Sequence, residues 1–93
     1  MTRRLRKREA VPRLKAGSVR LGPGEIMAWH STRDRQELLI MLSGRVRVDT
    51  RRSARRARRL ALRAGQCALL PPRTLHQVVN RSNVDASYLY VVF

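Results

Sequence analysis

The stretch Gly24–Gly44, GEIMAWHSTRDRQELLIMLSG, decides how this chain is read. It places His30 in a mostly apolar run, breaks at polar residues 33–36, and sets Glu37 at the head of ELLIML. A carboxylate and an imidazole in strand-like apolar surroundings need partners, because burying a charge without one is costly. A shared metal ion would be such a partner. Strand alternation puts Ile26, Ala28, His30 and Thr32 on one side, and Met27 and Trp29 on the other. With Glu37 inward, Leu39 and Met41 follow it, and Leu38, Ile40 and Leu42 form a second apolar face. A strand apolar on both faces is covered on both. In a chain of 93 residues a second copy is the natural outer cover. A homodimer is therefore expected there, with Met27 and Trp29 joining the patch.

Outward from this stretch the chain is a series of short segments punctuated by glycine and proline. SVRL precedes the Gly22-Pro23-Gly24 turn. RVRVDT alternates Val46 and Val48 with Arg45, Arg47 and Asp49, the pattern of a half-buried antiparallel strand. LALR, CALL, LHQVVN and ASYLYVVF follow. About eight strands at regular spacing predict an all-β sandwich or barrel. RRSARRARRLALRA, residues 51–64, also has alanines at helical spacing. In a compact β domain a hairpin with its tip near residues 53–56 is the preferred reading. Residues 1–14 read as a basic tail interrupted by Pro12, and residues 15–93 as a single domain.

Composition limits what the chain can do. The one cysteine, Cys67, allows no intrachain disulfide and no cysteine zinc cluster, and it reads as a small core residue. A lone cysteine fits a reducing cytoplasm. No apolar run reaches the roughly 18 residues of a membrane span, and the basic N-terminus lacks the apolar segment of a secretory signal. The chain is arginine-rich: 21 Lys and Arg stand against six acids, a net charge of +15. Such a field attracts polyanions without specificity.

His76, in RTLHQVVN, supplies a third inward ligand type. His30, Glu37 and His76 on neighbouring strands match the 2-His-1-carboxylate set of non-haem iron and the His2Glu set of catalytic zinc. Both sets leave open positions for water or substrate. Here the sequence resembles the cupins, small β-barrel proteins of the double-stranded β-helix or jelly-roll type. Gly24, His30, Glu37 and Gly44 fall at the spacing of their first motif; Gly65, Pro71, His76 and Asn80 fall at that of the second. The resemblance implies a cupin barrel over residues 15–93. It also implies a divalent ion (Fe, Mn, Zn or Ni) at His30, Glu37 and His76, and a small carboxylate, keto or enol ligand. Oxidase (dioxygenase-like), isomerase and decarboxylase chemistries come with the family. Gln36 is one residue out of phase and should face outward.

Two positions depart from the motifs. Thr32 stands where a second histidine ligand is usual, leaving a poor donor and one more open position. Arg73 stands where a glycine usually makes the turn; a different turn is expected, with Arg73 able to face the barrel mouth and meet an anionic substrate. Tyr88 and Tyr90 share a face of the last strand, as packing groups or as hydroxyl donors to a ligand. Two other readings stand beside the metal-dependent one. One is a metal-free ligand-binding or sensing barrel. The other is a polyanion-binding accessory protein that uses the nine arginines between Arg45 and Arg63 on backbone phosphates. Stacking aromatics are absent from that stretch of sequence, so such binding should be non-specific.

Overall fold

The structure, a computed structural model, describes residues 13–93. The predicted basic tail lies outside the described residues up to residue 12. Each predicted segment forms a strand: β1 (Lys15–Leu21), β2 (Ile26–Ser31), β3 (Glu37–Ser43), β4 (Arg45–Arg51), β5 (Ala57–Arg63), β6 (Cys67–Leu70), β7 (Leu75–Val79) and β8 (Ala86–Val92). They make two four-stranded sheets, the first in the order β1-β8-β3-β6 and the second β2-β7-β4-β5. All neighbouring strands are antiparallel. No helix among the described residues is long and apolar enough to cross a membrane.

The alternation read from the sequence builds the core. Leu39 and Met41 of β3, Val46 and Val48 of β4, Leu62 of β5 and Leu70 of β6 meet between the sheets, with Val78 and Tyr88 beside them. Each such apolar side chain contributes about 1.5–3 kcal/mol by leaving water. Only Gly44 separates β3 from β4 as the chain changes sheets. Its φ of 71° favours glycine, and a Cβ there would collide with the Asp85 carbonyl and the Ala86 backbone. Asn80, fully buried, anchors the opposite corner. Its Nδ2 donates to the carbonyls of Leu21, Gly22 and Val84 at 3.0, 3.1 and 2.8 Å, and its Oδ1 accepts from the Ser82 amide and hydroxyl.

Residues 51–64 form the expected hairpin rather than a helix. Val46 pairs with Leu62 and Val48 with Leu60, and the tip closes through Arg52 N to Arg56 O and Arg56 N to Ser53 O. Burying the apolar residues of one strand face outweighs the helical preference of Ala and Arg, because a helix here would have no apolar surface to pack on.

Three expectations are corrected. A β-bulge lies between Met27 and His30, shifting the phase of β2. Met27 therefore packs on the core on the same side as His30, while Ile26 and Trp29 are about half exposed. Second, β2 and β3 belong to different sheets, so Met27 and Trp29 do not join the Leu38/Ile40/Leu42 face. Third, Cys67 is exposed, because β6 turns Ala68 and Leu70 inward instead.

The outer faces of the sheets differ. Across the first sheet, Ala16, Val91, Leu38 and Leu69 form one row, and Ser18, Leu89, Ile40 and Cys67 the next, with no charge in either. Across the second, Arg45 pairs with Arg63, and Asp49 with Arg59 and Gln77. Burial alone would push the Asp49 carboxyl up. Hydrogen bonds from Arg47 and Gln77, with the charges of Arg47 and Arg59, outweigh it and hold the group below the usual carboxylate range.

Candidate metal centre

β2 and β7 are neighbours in the second sheet and place His30 directly opposite His76. Their rings lie 4.0 Å apart between centroids, tilted by 60°. Glu37, the first residue of β3, faces them from the other sheet. One ligand atom from each of the three residues lies within 4.8 Å of the others. His76 is fully buried, Glu37 nearly so, and His30 forms the exposed edge.

The two imidazoles are oriented alike by their own strands. His30 Nδ1 lies 2.9 Å from the Ala28 carbonyl, and His76 Nδ1 3.3 Å from that of Thr74. A carbonyl can only accept, so each Nδ1 donates, and in the neutral ring Nε2 is the nitrogen with the lone pair. His76 Nε2 is 3.3 Å from Glu37 Oε2, a distance that suits an ion pair. The angles make no hydrogen bond, and this nitrogen is the one buried side-chain polar atom without a partner among the described residues. A buried ring nitrogen with no hydrogen-bond partner is costly as it stands. A cation between the three groups would satisfy them all, so this donor set fits a divalent ion of the borderline, nitrogen- and oxygen-loving kind.

A cavity of about 330 Å³ opens beside the three residues, with Lys15, Met27, Tyr88 and Tyr90 in its walls. Burial, then the charge of Glu37 and the neighbouring Tyr90, pushes the Tyr88 phenol up to about 12. It stays protonated and can donate a hydrogen bond at any physiological pH. Tyr90 fits because β1 has Gly17 opposite it, where a Cβ would meet the tyrosine ring.

Both departures from the motifs have a structural account. Thr32 is buried, and its hydroxyl donates to the Pro71 carbonyl at 2.8 Å while accepting from the Thr74 amide at 3.0 Å. It ties the end of β2 to the loop entering β7. Arg73 does adopt the glycine-like turn, with φ 57°, and its amide donates to the Arg33 carbonyl at 2.6 Å. The expected change of turn did not occur; the left-handed backbone costs a β-carbon residue about 1 kcal/mol. Arg73 is exposed and does not line the cavity, where Lys15 is the cationic group. Lys15 stands in no motif and was not singled out in the sequence; only its pairing with Val92 brings it to the mouth.

The comparisons with known proteins agree with this architecture. The Cupin domain family model matches residues 17–92. No curated protein matches the chain. Among solved structures, the Drosophila melanogaster CENP-C cupin domain superposes with a TM-score of 0.78 at 15% identity, over 84% of this chain and 59% of that one. A predicted oxalate decarboxylase from Thermotoga maritima gives 0.74 at 19%, over 84% and 64%. An oxalate oxidase gives 0.79 at 18%, over 85% and 41%. This chain thus spans less than two thirds of the length of each, and at these identities the likeness is one of fold. The motif glycines, the two four-stranded antiparallel sheets and the match along nearly all the described residues lead to one conclusion: the chain belongs to the cupin domain family.

Proposed function

We propose that the chain is a small metal-dependent cupin. In this reading His30, Glu37 and His76 bind a divalent ion, iron, manganese, zinc or nickel, and the adjoining cavity takes a small carboxylate or carbonyl compound. The observation that carries it is the buried, unpartnered Nε2 of His76 facing Glu37 and His30. When bound, such an ion supplies Lewis-acid or redox chemistry at its open positions. The protein's own groups do the rest. Lys15 offers a positive charge to a carboxylate, and the protonated Tyr88 phenol offers a donor. Met27 and Val78 keep one wall apolar. The oxalate enzymes among the solved structures support a carboxylate ligand and oxidase or decarboxylase chemistry; isomerisation is the family's other expectation. A second reading, a barrel that binds without turnover, is favoured by the CENP-C cupin domain, which was solved bound to CAL1.

Metal analysis of protein purified without a histidine tag tests the site. Stoichiometric metal is expected in the parent chain, with affinity reduced on the order of 100-fold in Glu37→Gln, which keeps the side-chain shape. Unchanged metal content in that variant would sink the reading. The exposed thiol of Cys67 suits a reducing cytoplasm, where we place the protein. We also infer a homodimer through the outer face of β3, where Leu38 and Ile40 lie beside Val91 and Leu89 of β8 with no charge among them. Paired substitutions Leu38→Lys and Ile40→Lys should halve the mass in sedimentation. A parent chain that is already monomeric would end the idea.

A further inference from the structure

The sandwich has a second opening. The metal cavity draws on β1, β8 and β2, whereas on the other flank β5 and β6 end their sheets without an outer neighbour. β6 has four residues and β5 seven, so the β4–β5 hairpin overhangs it. Leu60, on the same face of β5 as buried Leu62, is left 44% exposed by this mismatch. The resulting cleft has a volume of about 1020 Å³. Arg52, Arg55, Arg56, Arg58 and Arg59 surround it, and no acidic residue lines it.

We propose that this cleft is a binding site for a multiply charged organic anion, with phosphate groups on the arginines and an apolar or aromatic body against Leu60 and Leu69. Three observations lead there. The first is charge without a partner: among the described residues, Arg52, Arg55, Arg56 and Arg58 have no carboxylate within salt-bridge distance, while Arg20 pairs with Asp85 and Arg47 with Asp49. Like charges gathered at one mouth repel, and an anion relieves that repulsion. The second is chemical type. Every cation here is a guanidinium, whose planar fork matches phosphate oxygens two at a time, and five exceed what one carboxylate can engage. The third is shape. A flat polyanion surface would need no hollow, yet this cleft is concave, has the size of a small-molecule site, and carries exposed leucines. Inorganic phosphate would leave those leucines wet.

Adenosine triphosphate is the probe, titrated by calorimetry at about 150 mM salt, where surface charges farther apart than about 8 Å are screened. Binding is expected, with inorganic tripolyphosphate at least roughly tenfold weaker because it lacks the body. Arg55→Gln with Arg58→Gln should weaken it by about tenfold or more. Arg45→Gln with Arg63→Gln removes the same charge at the far end of the hairpin and should change it less than about twofold. All four side chains are exposed, so neither pair should unfold the chain. Glu37→Gln should bind the nucleotide as the parent does, which separates this site from the metal centre. Any of four results overturns the proposal: no binding, equal losses in both arginine pairs, equal affinity for tripolyphosphate, or tighter binding of a single-stranded oligonucleotide. The last would make the arginines a polyanion surface, with Trp29 as its stacking group.

Discussion

The β1–β2 flank and the β5–β6 flank are openings into one core, yet they carry opposite chemistry. The first is the smaller, lined by His30 and Glu37 beside buried His76, with Lys15 as the single cation in its wall. The second is larger and carries five arginines and no acid, with Leu60 and Leu69 exposed in its wall. In the readings proposed above, one opening receives a positive ion and the other a negative group. The difference follows from strand length. β2 and β7 pair on both sides of the bulge and place a histidine pair opposite each other, whereas β6 stops early and leaves the hairpin uncovered. An incomplete layer can thus make a site as readily as a precise one.

The sharpest break of this comparison is a double dissociation. Glu37→Gln should lower metal affinity on the order of 100-fold and leave nucleotide binding intact, while the Arg55/Arg58 pair should weaken the nucleotide about tenfold and leave the metal unchanged. Loss of both functions in either variant would mean that the two flanks are one site. Next in size is a contrast within β5. Leu62→Ala removes a side chain buried to 3% exposure and should cost about 2–5 kcal/mol in denaturant unfolding. Leu60→Ala, on the same face beside the cleft, should cost under about 1 kcal/mol. Equal costs would show that the cleft is closed in solution. On the metal flank, Thr32→Val leaves the Thr74 amide without its acceptor and should cost about 1–3 kcal/mol, with metal content unchanged. A loss of metal at full stability would instead make Thr32 a ligand.

The smallest effects are in pH. Tyr88 keeps its proton to about pH 12 when folded and to about 10 when unfolded, so metal-free protein should lose stability as pH rises from 10 towards 12. Asp49, on the arginine-bearing sheet, is held below its ordinary 3.8, so its contribution is present above that value and fades as pH falls beneath it. Tyr88→Phe should flatten the alkaline limb and Asp49→Asn the acid one, each leaving the other in place. Stability curves that fail to separate in this way would contradict the assigned environments.

The cluster of His30, Glu37 and His76 was legible because residues of ligand type stand at motif spacing in apolar strands, and the eight strands because glycine and proline punctuate them. What escaped the sequence depended on contacts between distant residues. The bulge before His30 leaves no local signal, so the faces of Met27 and Ala28 were exchanged. Trp29 lies far from the arginines in sequence, but sheet order brings its ring within 5.8 Å of the Arg51 guanidinium, so the arginine face has a stacking aromatic after all. Cys67 was misjudged because a four-residue strand gives its apolar residues no clear phase. Thr32 looked like a missing ligand when read by position alone; its two hydrogen bonds show a fastener.

The bulge at Ala28 has a consequence for evolution. Both histidines are held in their tautomer by peptide carbonyls two residues back, and among the described residues no side chain shares that task. Substitution of a neighbouring side chain leaves those carbonyls in place. The cavity wall is therefore free to diverge towards new ligands while the two imidazoles keep their aim, and only an insertion or deletion in β2 or before β7 would turn them away.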